Sequence, residues 1–375
     1  MRDETNPRFP EPMPDGEPDR LGEVQDSSLS ADIHHPAVQE DGTGPASQAQ
    51  ADAVKTAVAG SENFDLVELE DEVLDNTADR SYSQGQLVLR RFLRHKGAMI
   101  SLVVLIGIIV LAFTSLGFGP IPGWYPHSYI TPMPIENGGA PTISWSGFGT
   151  HPFGQDNVGV DYFALVKRGT QKSIIIALIV GLVSTAIGTA IGAIAGYFRG
   201  WTEAILMRIT DLFIVIPMLV LAAVIGQMVG GGGIVLLAVM LGLLSWTGLA
   251  RLVRGEVLSL REREFVSAAR AVGAPPSRII VRHILPNALG TIIVSATLSI
   301  ASAILLETSL SYLGFGVRAP ETSLGLLINN YQQTFSTRPW LFFAPAAMIL
   351  AIALSINFIG DGLRDAFDPR QKAKV

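Results

Sequence analysis

The chain has 375 residues, of which 49% are hydrophobic and only 16% are charged, so its composition argues against an ordinary soluble enzyme. It contains no cysteine, which excludes disulfides and every cysteine-based metal site. Its six histidines lack the spacing of a metal-binding motif, so we expect neither a catalytic metal nor another catalytic site.

Residues 1–80 form an acidic leader with 20 acidic and 5 basic side chains, a net charge of −15. Residues 81–375 carry a net charge of +9, so the overall charge describes neither part and indicates no nucleic-acid partner. The leader has too few apolar residues to offset the entropy of folding. We predict a disordered acidic cytoplasmic extension, and the sequence assigns it no function.

Residues 81–119 are predicted to form an amphipathic entry helix and the first transmembrane helix. Apolar residues such as Leu89 and Leu93 alternate with basic ones such as Arg94 before a charge-free interval begins at Gly97. A basic amphipathic helix suits the headgroup layer of the cytoplasmic leaflet, so membrane lipid is a predicted partner.

A helix crosses a bilayer with about 20 apolar residues. Charge-free intervals of that length predict six spans in all, and residues 173–375 form a five-helix core. The four glycines 230–233 divide one long interval into a hairpin, and Pro217 marks a kink in its first half. The intervals are Gly97–Gly119, Ser173–Phe198, Leu212–Ala250 with its glycine break, Ile284–Leu306 and Pro339–Gly360.

Lysine and arginine are distributed unequally between the two sides of these spans. With the termini inside, the inner segments carry 17 such residues and the outer segments carry 5. The positive-inside rule therefore places both termini in the cytoplasm. Residues 120–172 become an extracytoplasmic segment, for which docking of a partner and a plain connecting loop are equally favoured.

Three glycines at four-residue spacing, Gly188, Gly192 and Gly196, leave one face of the second span without side-chain bulk. This pattern indicates close helix packing and is favoured over substrate lining. Glu307 lies near the outer end of the fifth span, where an outer-gate polar group and an ordinary interfacial carboxylate are equally favoured. A secondary carrier usually has ionisable groups near the membrane midplane, and the charge-free intervals lack them.

The cytoplasmic loop 251–283 is the most informative segment. Alanines favour a helix from Phe265 until the sequence Gly-Ala-Pro-Pro at 273–276 stops it. Ser277 is placed to cap a second short helix that ends near Pro286. We interpret the segment as a helix–turn–helix projection that inserts into a groove on a cytoplasmic partner, whereas the alternative is a basic loop that merely obeys the positive-inside rule.

At this loop the chain resembles the permease subunits of bacterial ABC importers, whose coupling loop has Glu-Ala-Ala, then glycine, then an ending in Leu-Pro. Here Ser267-Ala268-Ala269 precedes Gly273, and nine residues later comes His283-Ile-Leu-Pro286. The segments 151–161 and 311–325 are similar to the peptide and nickel subfamily. Residues 360–370, Gly-Asp-Gly-Leu-Arg-Asp-Ala-Phe-Asp-Pro-Arg, resemble the C-terminus of the C-type subunit of dipeptide and oligopeptide permeases.

The resemblance implies an all-α membrane protein with a MetI-like permease core, in a bacterial inner membrane. It implies a non-catalytic subunit that forms a peptide pathway with a B-type permease, together with two ATPases and an external solute-binding protein. The ATP and Mg²⁺ would bind those ATPases, and this chain would hold no cofactor. The alternatives are a stand-alone secondary carrier or channel, and a regulator that signals through the leader. The residues implied in ATPase coupling are Phe265, Ser267, Ala268, Ala269, Gly273 and Pro286.

Overall fold

The computed structural model describes residues 84–368, apart from 119, 144–146, 148 and 230–231. The predicted disordered leader lies outside the described residues. Within them the regular structure is almost entirely helical, as expected for an all-α membrane protein. A two-residue antiparallel pair, β1 (Gly117–Phe118) with β2 (Ile121–Pro122), follows the first long helix.

The helices of the described residues are numbered here in chain order. A π-helical turn, Ile280–Ile284, joins α9 to α10 without a break. The bounds are α1 Gln84–Arg94, α2 Lys96–Ser115, α3 Tyr162–Phe198, α4 Gly200–Val215, α5 Met218–Val229, α6 Gly233–Leu244, α7 Thr247–Arg261, α8 Glu264–Ala271, α9 Pro276–Ile279, α10 Leu285–Tyr312, α11 Leu324–Tyr331 and α12 Trp340–Phe367.

Four of these stretches are long and apolar enough to cross a membrane: α2, α3, α9 with α10, and α12. Two bent pairs raise the number to six if each pair is one span. The axis turns by 84° between α4 and α5, and by 45° between α6 and α7. At 12 residues each, α5 and α6 are about 18 Å long, too short to cross a bilayer as separate helices. The predicted hairpin is therefore built from broken helices.

Several helices extend beyond the intervals predicted from charge, and α3 and α7 are two of them. Helix α3 begins at Tyr162 instead of Ser173, because Asp161 caps it and accepts a 2.7 Å hydrogen bond from the backbone of Ala164. One of the two lysines within this extension, Lys167, is buried with its ammonium 3.3 Å from the ring centroid of Tyr125. Helix α7 likewise continues to Arg261, past the predicted end of the fourth span. Charged residues that have partners in the fold thus lie within these helices, so a criterion based on the absence of charge predicts helices that are too short.

The glycines of α3 face α7 at very short range. A Cβ atom on Gly192 would lie 2.5 Å from the carbonyl oxygen of Ala250. On Gly188 it would lie 2.9 Å from the oxygen of Trp246, and on Gly196 it would lie 2.9 Å from that of Arg254. Only hydrogen fits in these gaps, so the three glycines allow the two backbones to approach.

Helices α1 and α2 meet at His95, the single non-helical residue between them. Its Nδ1 accepts a 3.0 Å hydrogen bond from the backbone of Ala98 and thereby caps α2. Since Nδ1 is the acceptor, the ring proton is on Nε2, which faces Asp365 near the end of α12 at 3.5 Å. The junction is therefore tied to the C-terminal end of the last helix.

Replacement of His95 by alanine is expected to lower the free energy of unfolding by about 1 kcal/mol, because the helix cap is lost. Asparagine supplies a side-chain acceptor at the same position, so His95→Asn should retain more of the stability than His95→Ala. Denaturant unfolding of the purified protein in detergent measures both variants. Equal stability of the wild type and both variants would show that the cap contributes nothing.

Candidate functional site

The loop after α7 forms a compact projection whose turn is determined by its backbone. Helix α8 ends in a Schellman motif: the N–H of Gly273 donates to the oxygen of Arg270, and the N–H of Ala274 donates to that of Ala269. Gly273 has a φ of +82°, a conformation that favours glycine. The chain then turns through Pro275 into α9, so the predicted helix–turn–helix is present.

Two apolar stripes run along α8. The inner stripe contains Val266, which is fully buried, and Ala269, which is half-buried. The outer stripe contains Phe265 and Ala268 of α8 and Val272, the C-cap residue that follows it, at i, i+3 and i+7, and all three are exposed. Val272 is 88% exposed, the largest value among the exposed large hydrophobic residues of the described chain. An exposed apolar stripe on a basic projection is typical of a protein docking surface.

The predicted coupling residues divide between these surfaces. Phe265, Ser267, Ala268 and Gly273 are exposed on the projection, whereas Ala269 packs against the interior of the protein. Sequence reasoning missed Val272, although its spacing from Phe265 and Ala268 was a readable helical signal. We define the docking stripe as Phe265, Ala268 and Val272.

A buried cluster carries the projection on the rest of the protein. Val266 of α8 and Ile279 of α9 pack with Val257 of α7 and Tyr197 of α3. The guanidinium of Arg261 also donates a hydrogen bond to the backbone oxygen of Tyr197. The projection therefore packs directly on α3 and α7.

The second helix of the projection continues past Pro286, so the prediction that it ends there is wrong. It begins at Pro276 without a side-chain cap from Ser277, and it runs through the π-helical turn into α10. Pro286 is exposed and lies at the start of α10, where its missing N–H removes one hydrogen bond from the helix that continues out of the π-helical turn. It is thus on a different helix from the docking stripe.

The two helix breaks open into one groove of about 700 Å³. Its walls come from the α4–α5 break, the α6–α7 break and the middle of α10. None of the described residues that line it is ionisable. The lining residues are Phe213, Ile214, Ile216, Pro217, Met218, Leu244, Ser245, Thr247, Gly248, Leu249, Leu252, Ser295, Leu298, Ser299, Ser302, Ala303 and Leu306.

Hydroxyl groups supply the polarity of this groove. Ser295, Ser299 and Ser302 follow one another along α10, and Ser245 and Thr247 flank the α6–α7 break. The hydroxyl of Ser299 donates to the backbone oxygen of Ser295 at 2.8 Å, which leaves its own oxygen able to accept. The groove can therefore exchange hydrogen bonds with a polar neutral group while presenting a largely apolar wall.

Ion pairs join α4 to α7 beside the groove. Arg254 of α7 binds Glu203 of α4 through Nε at 2.7 Å, and Arg251 binds Asp211. Arg208 lies three residues before Asp211 on α4, a spacing that also permits an ion pair. The partner instead comes from another helix, because the close packing of α7 on α3 brings Arg251 alongside α4.

Glu307 is fully buried in α10, at the centre of a cluster of hydroxyl groups. Ser173 of α3 donates to its carboxylate at 3.0 Å, and Ser311 donates at 2.7 Å. Ser323 caps α11 by accepting a hydrogen bond from the backbone of Leu326 at 3.2 Å. The backbone of Leu324 also donates to Ser173 at 3.3 Å. The cluster therefore links α3, α10 and α11, and the role of Glu307 as an outer-gate group stays a prediction.

Replacement of Glu307 by leucine is expected to lower the free energy of unfolding by about 1–3 kcal/mol, because buried hydroxyls lose their acceptor. Glu307→Gln retains one acceptor oxygen and should be the milder change. Thermal unfolding in detergent compares the two variants. If leucine proves as stable as wild type, the cluster does not hold these helices together.

The segment 120–172, which the sequence predicts to be extracytoplasmic, is held by the polar residues just before α3. Gln155 donates to the oxygens of Pro134 and Gly159, and Asp161 accepts from the phenol of Tyr125 and pairs with His151 at 2.8 Å. Burial, and then the charge of Asp161, raises the pKa of Tyr125. The described residues of this segment therefore form an ordered structure at the N-terminal end of α3. Within the described residues, no group of three or more potential ligands could hold a metal ion.

Two family models match the chain. Residues 188–373 match the binding-protein-dependent transport system inner membrane component. Residues 83–137 match the N-terminal transmembrane domain of oligopeptide transport permease C. The first match contains the docking stripe, both helix breaks and the serines of α10, and the second contains α1 and α2.

Curated relatives extend the similarity over most of the chain. The oligopeptide transport system permease protein OppC of Mycobacterium tuberculosis is 39% identical over 292 residues, which cover 78% of this chain and 96% of the relative. The protein of the same name from Haemophilus influenzae is 34% identical, covering 85% and 99%. Among solved structures, an inward-facing MetNI methionine ABC transporter matches with 20% identity and a TM-score of 0.43, over 54% of this chain and 97% of that one.

Proposed function

This chain belongs to the family of binding-protein-dependent transport system inner membrane components, and from that premise we propose that it is the C-type permease subunit of an ABC importer for peptides. The proposal includes a second, B-type permease that completes the pathway, two cytoplasmic ATPases and an external solute-binding protein. The chain is a multi-pass membrane protein, and the proposed orientation has both termini in the cytoplasm.

The observation that carries this proposal is the docking stripe on its anchored projection. A carrier that works alone does not explain why a valine and a phenylalanine are exposed at the tip of a basic helix–turn–helix. A cytoplasmic ATPase subunit explains the surface, because its binding would bury the stripe. The names of the relatives supply the substrate class: the proteins of Mycobacterium and Haemophilus are oligopeptide permeases.

The groove suits one wall of a pathway completed by a second permease. It is open on one side, and its hydroxyls can exchange hydrogen bonds with the amide groups of a peptide backbone. Amides are common to all peptides, and a wall without charge does not select a side chain of either sign. This pathway would therefore accept peptides of varied sequence.

Coupling would operate through the contacts that carry the projection. When the ATPases close on ATP, the docking stripe would move with them. Val266 and Ile279 would transmit that movement to α3 and α7, whose packing includes the ion pair between Arg254 and Glu203. The breaks beside the groove offer places where α4 and α6 could change their angle without stretching a helical hydrogen-bond ladder.

Uptake of a labelled oligopeptide by proteoliposomes tests the proposal. The full chain is tagged, purified in mild detergent with the subunits that accompany it, and reconstituted with a binding protein from the same host. Uptake that requires ATP, together with a second permease and ATPases in the purified complex, supports the proposal. Uptake by the chain alone, driven by an ion gradient, would overturn it in favour of a secondary carrier.

A further inference from the structure

Helix α1 has two faces, and only one of them is packed against protein. Phe92 on the inner face is buried, and together with Val88 it contacts Leu363 and Ala366 of α12. The guanidinium of Arg91 donates to the backbone oxygen of Asp368 at 3.3 Å. These contacts hold α1 against the C-terminal end of α12.

The outer face of α1 combines exposed apolar and basic side chains. Leu89 and Leu93 are one helical turn apart and are 57% and 52% exposed. Arg94 and Lys96 are exposed beside them, at the point where α1 gives way to α2. Burial of these leucines against an apolar neighbour is favourable, and that neighbour must also tolerate positive charge.

The lipid-facing part of α2 begins directly after this face. Ile100 and Val103 are each 66% exposed, on a 20-residue apolar helix that is long enough to cross a bilayer. Only His95 separates the two helices, so α1 lies at the level where that span enters the membrane. The surface of a bilayer therefore reaches the outer face of α1 without any other protein being required.

We propose that α1 is an interfacial helix whose outer face binds a bilayer surface that carries anionic headgroups. Leu89 and Leu93 insert at the boundary between headgroups and acyl chains, and Arg94 and Lys96 bind lipid phosphates. A phospholipid surface meets both requirements at once, because it offers apolar chains beneath negative charge. The inference depends on the membrane insertion of α2 and not on the substrate that is transported.

The test uses the absence of cysteine from the chain, which makes Leu93→Cys a unique labelling site. The full chain is labelled with a fluorophore and placed in nanodiscs of phosphatidylcholine, with and without phosphatidylglycerol. We expect quenching by lipids brominated near the headgroup, little quenching by aqueous iodide, and a several-fold stronger lipid effect with phosphatidylglycerol. Arg94→Glu combined with Lys96→Glu should abolish that enhancement.

Ser259→Cys is the matched control, because it labels an exposed position in the cytoplasmic part of α7 and should remain accessible to iodide in both lipids. A Leu93 label open to iodide in both compositions would overturn the proposal, since α1 would then face solvent. Protection from iodide and from lipid quencher alike would also overturn it and would indicate a protein occupant. Lipid quenching that is independent of phosphatidylglycerol would disprove the role of the two basic residues.

Discussion

Val272→Asp is expected to reduce peptide uptake by about tenfold or more while the amount of protein in the membrane stays unchanged. Val272 is 88% exposed and makes no contribution to the buried cluster beneath α8, so the substitution should not disturb the fold. In the proposed complex the same side chain is buried against an ATPase, where an unpaired carboxylate is strongly unfavourable. A loss of about 1.4 kcal/mol of docking free energy is already a tenfold effect.

Val272→Ile is the control, because it retains the apolar contact and should transport at close to the wild-type rate. Uptake and ATP hydrolysis are measured on the same purified complexes, with thermal unfolding as the check on folding. Wild-type uptake by Val272→Asp would show that the docking stripe is not the coupling surface.

Two other substitutions in the projection, Ala269→Glu and Gly273→Asp, would disturb the fold as well as the exposed surface. Ala269→Glu would place a charge against the buried cluster, so a loss of transport could reflect a damaged fold. Gly273→Asp would add a side chain at a φ of +82°, where any residue with a Cβ is strained. At Val272, by contrast, the introduced charge changes the docking stripe without disturbing the fold.

Gly192→Leu is expected to lower the free energy of unfolding by about 3 kcal/mol, because it forces α3 and α7 apart. A Cβ at this position lies 2.5 Å from the oxygen of Ala250 and 2.8 Å from the Cβ of Val253. Neither neighbour is the end of a flexible side chain, so the strain can be relieved only by movement of a helix. The protein should unfold at a lower temperature in detergent and accumulate poorly in the membrane.

Gly192→Ala gives a measurable value if leucine prevents folding altogether, and it should lower stability by about 1–3 kcal/mol. Gly255 supplies the control, since it lies in α7 and a Cβ there meets nothing within 4 Å. Gly255→Ala should be neutral or slightly stabilising, because alanine favours a helix over glycine by up to about 1 kcal/mol. Equal stability of the two alanine variants would contradict the packing role of Gly192.

Helix boundaries show what can be predicted from the sequence without knowledge of the tertiary contacts. A criterion based on the absence of charge located α2, α10 and α12, since desolvation of an unpaired charge excludes it from lipid. The same criterion began α3 too late at Ser173, because Lys167 and Lys172 have partners that only the fold supplies. Lys167 lies over aromatic rings, and Lys172 pairs with Glu321 at 2.8 Å.

Candidate site residues divide in the same way. The helix–turn–helix projection follows from local chemistry, in which alanines favour α8 and Gly273 allows the turn. Which face of α8 is free depends on the long-range packing of Val266 and Ile279, so the sequence named Ala269 and missed Val272. The groove is even harder to predict from the sequence, since α4, α6 and α10 are distant in sequence and only Pro217 indicated a break.

The sequence by itself determined that this chain is a membrane protein with several helical spans, a basic projection between two of them and glycines suited to close helix packing. These properties depend on hydrophobicity, charge and backbone freedom, which act within about one helix. The tertiary structure alone decided the partners of Glu307 and Asp211, the exposed stripe on α8 and the groove between broken helices. Each of these requires residues from separate helices to meet, and the distances between helices are set by packing that local sequence does not encode.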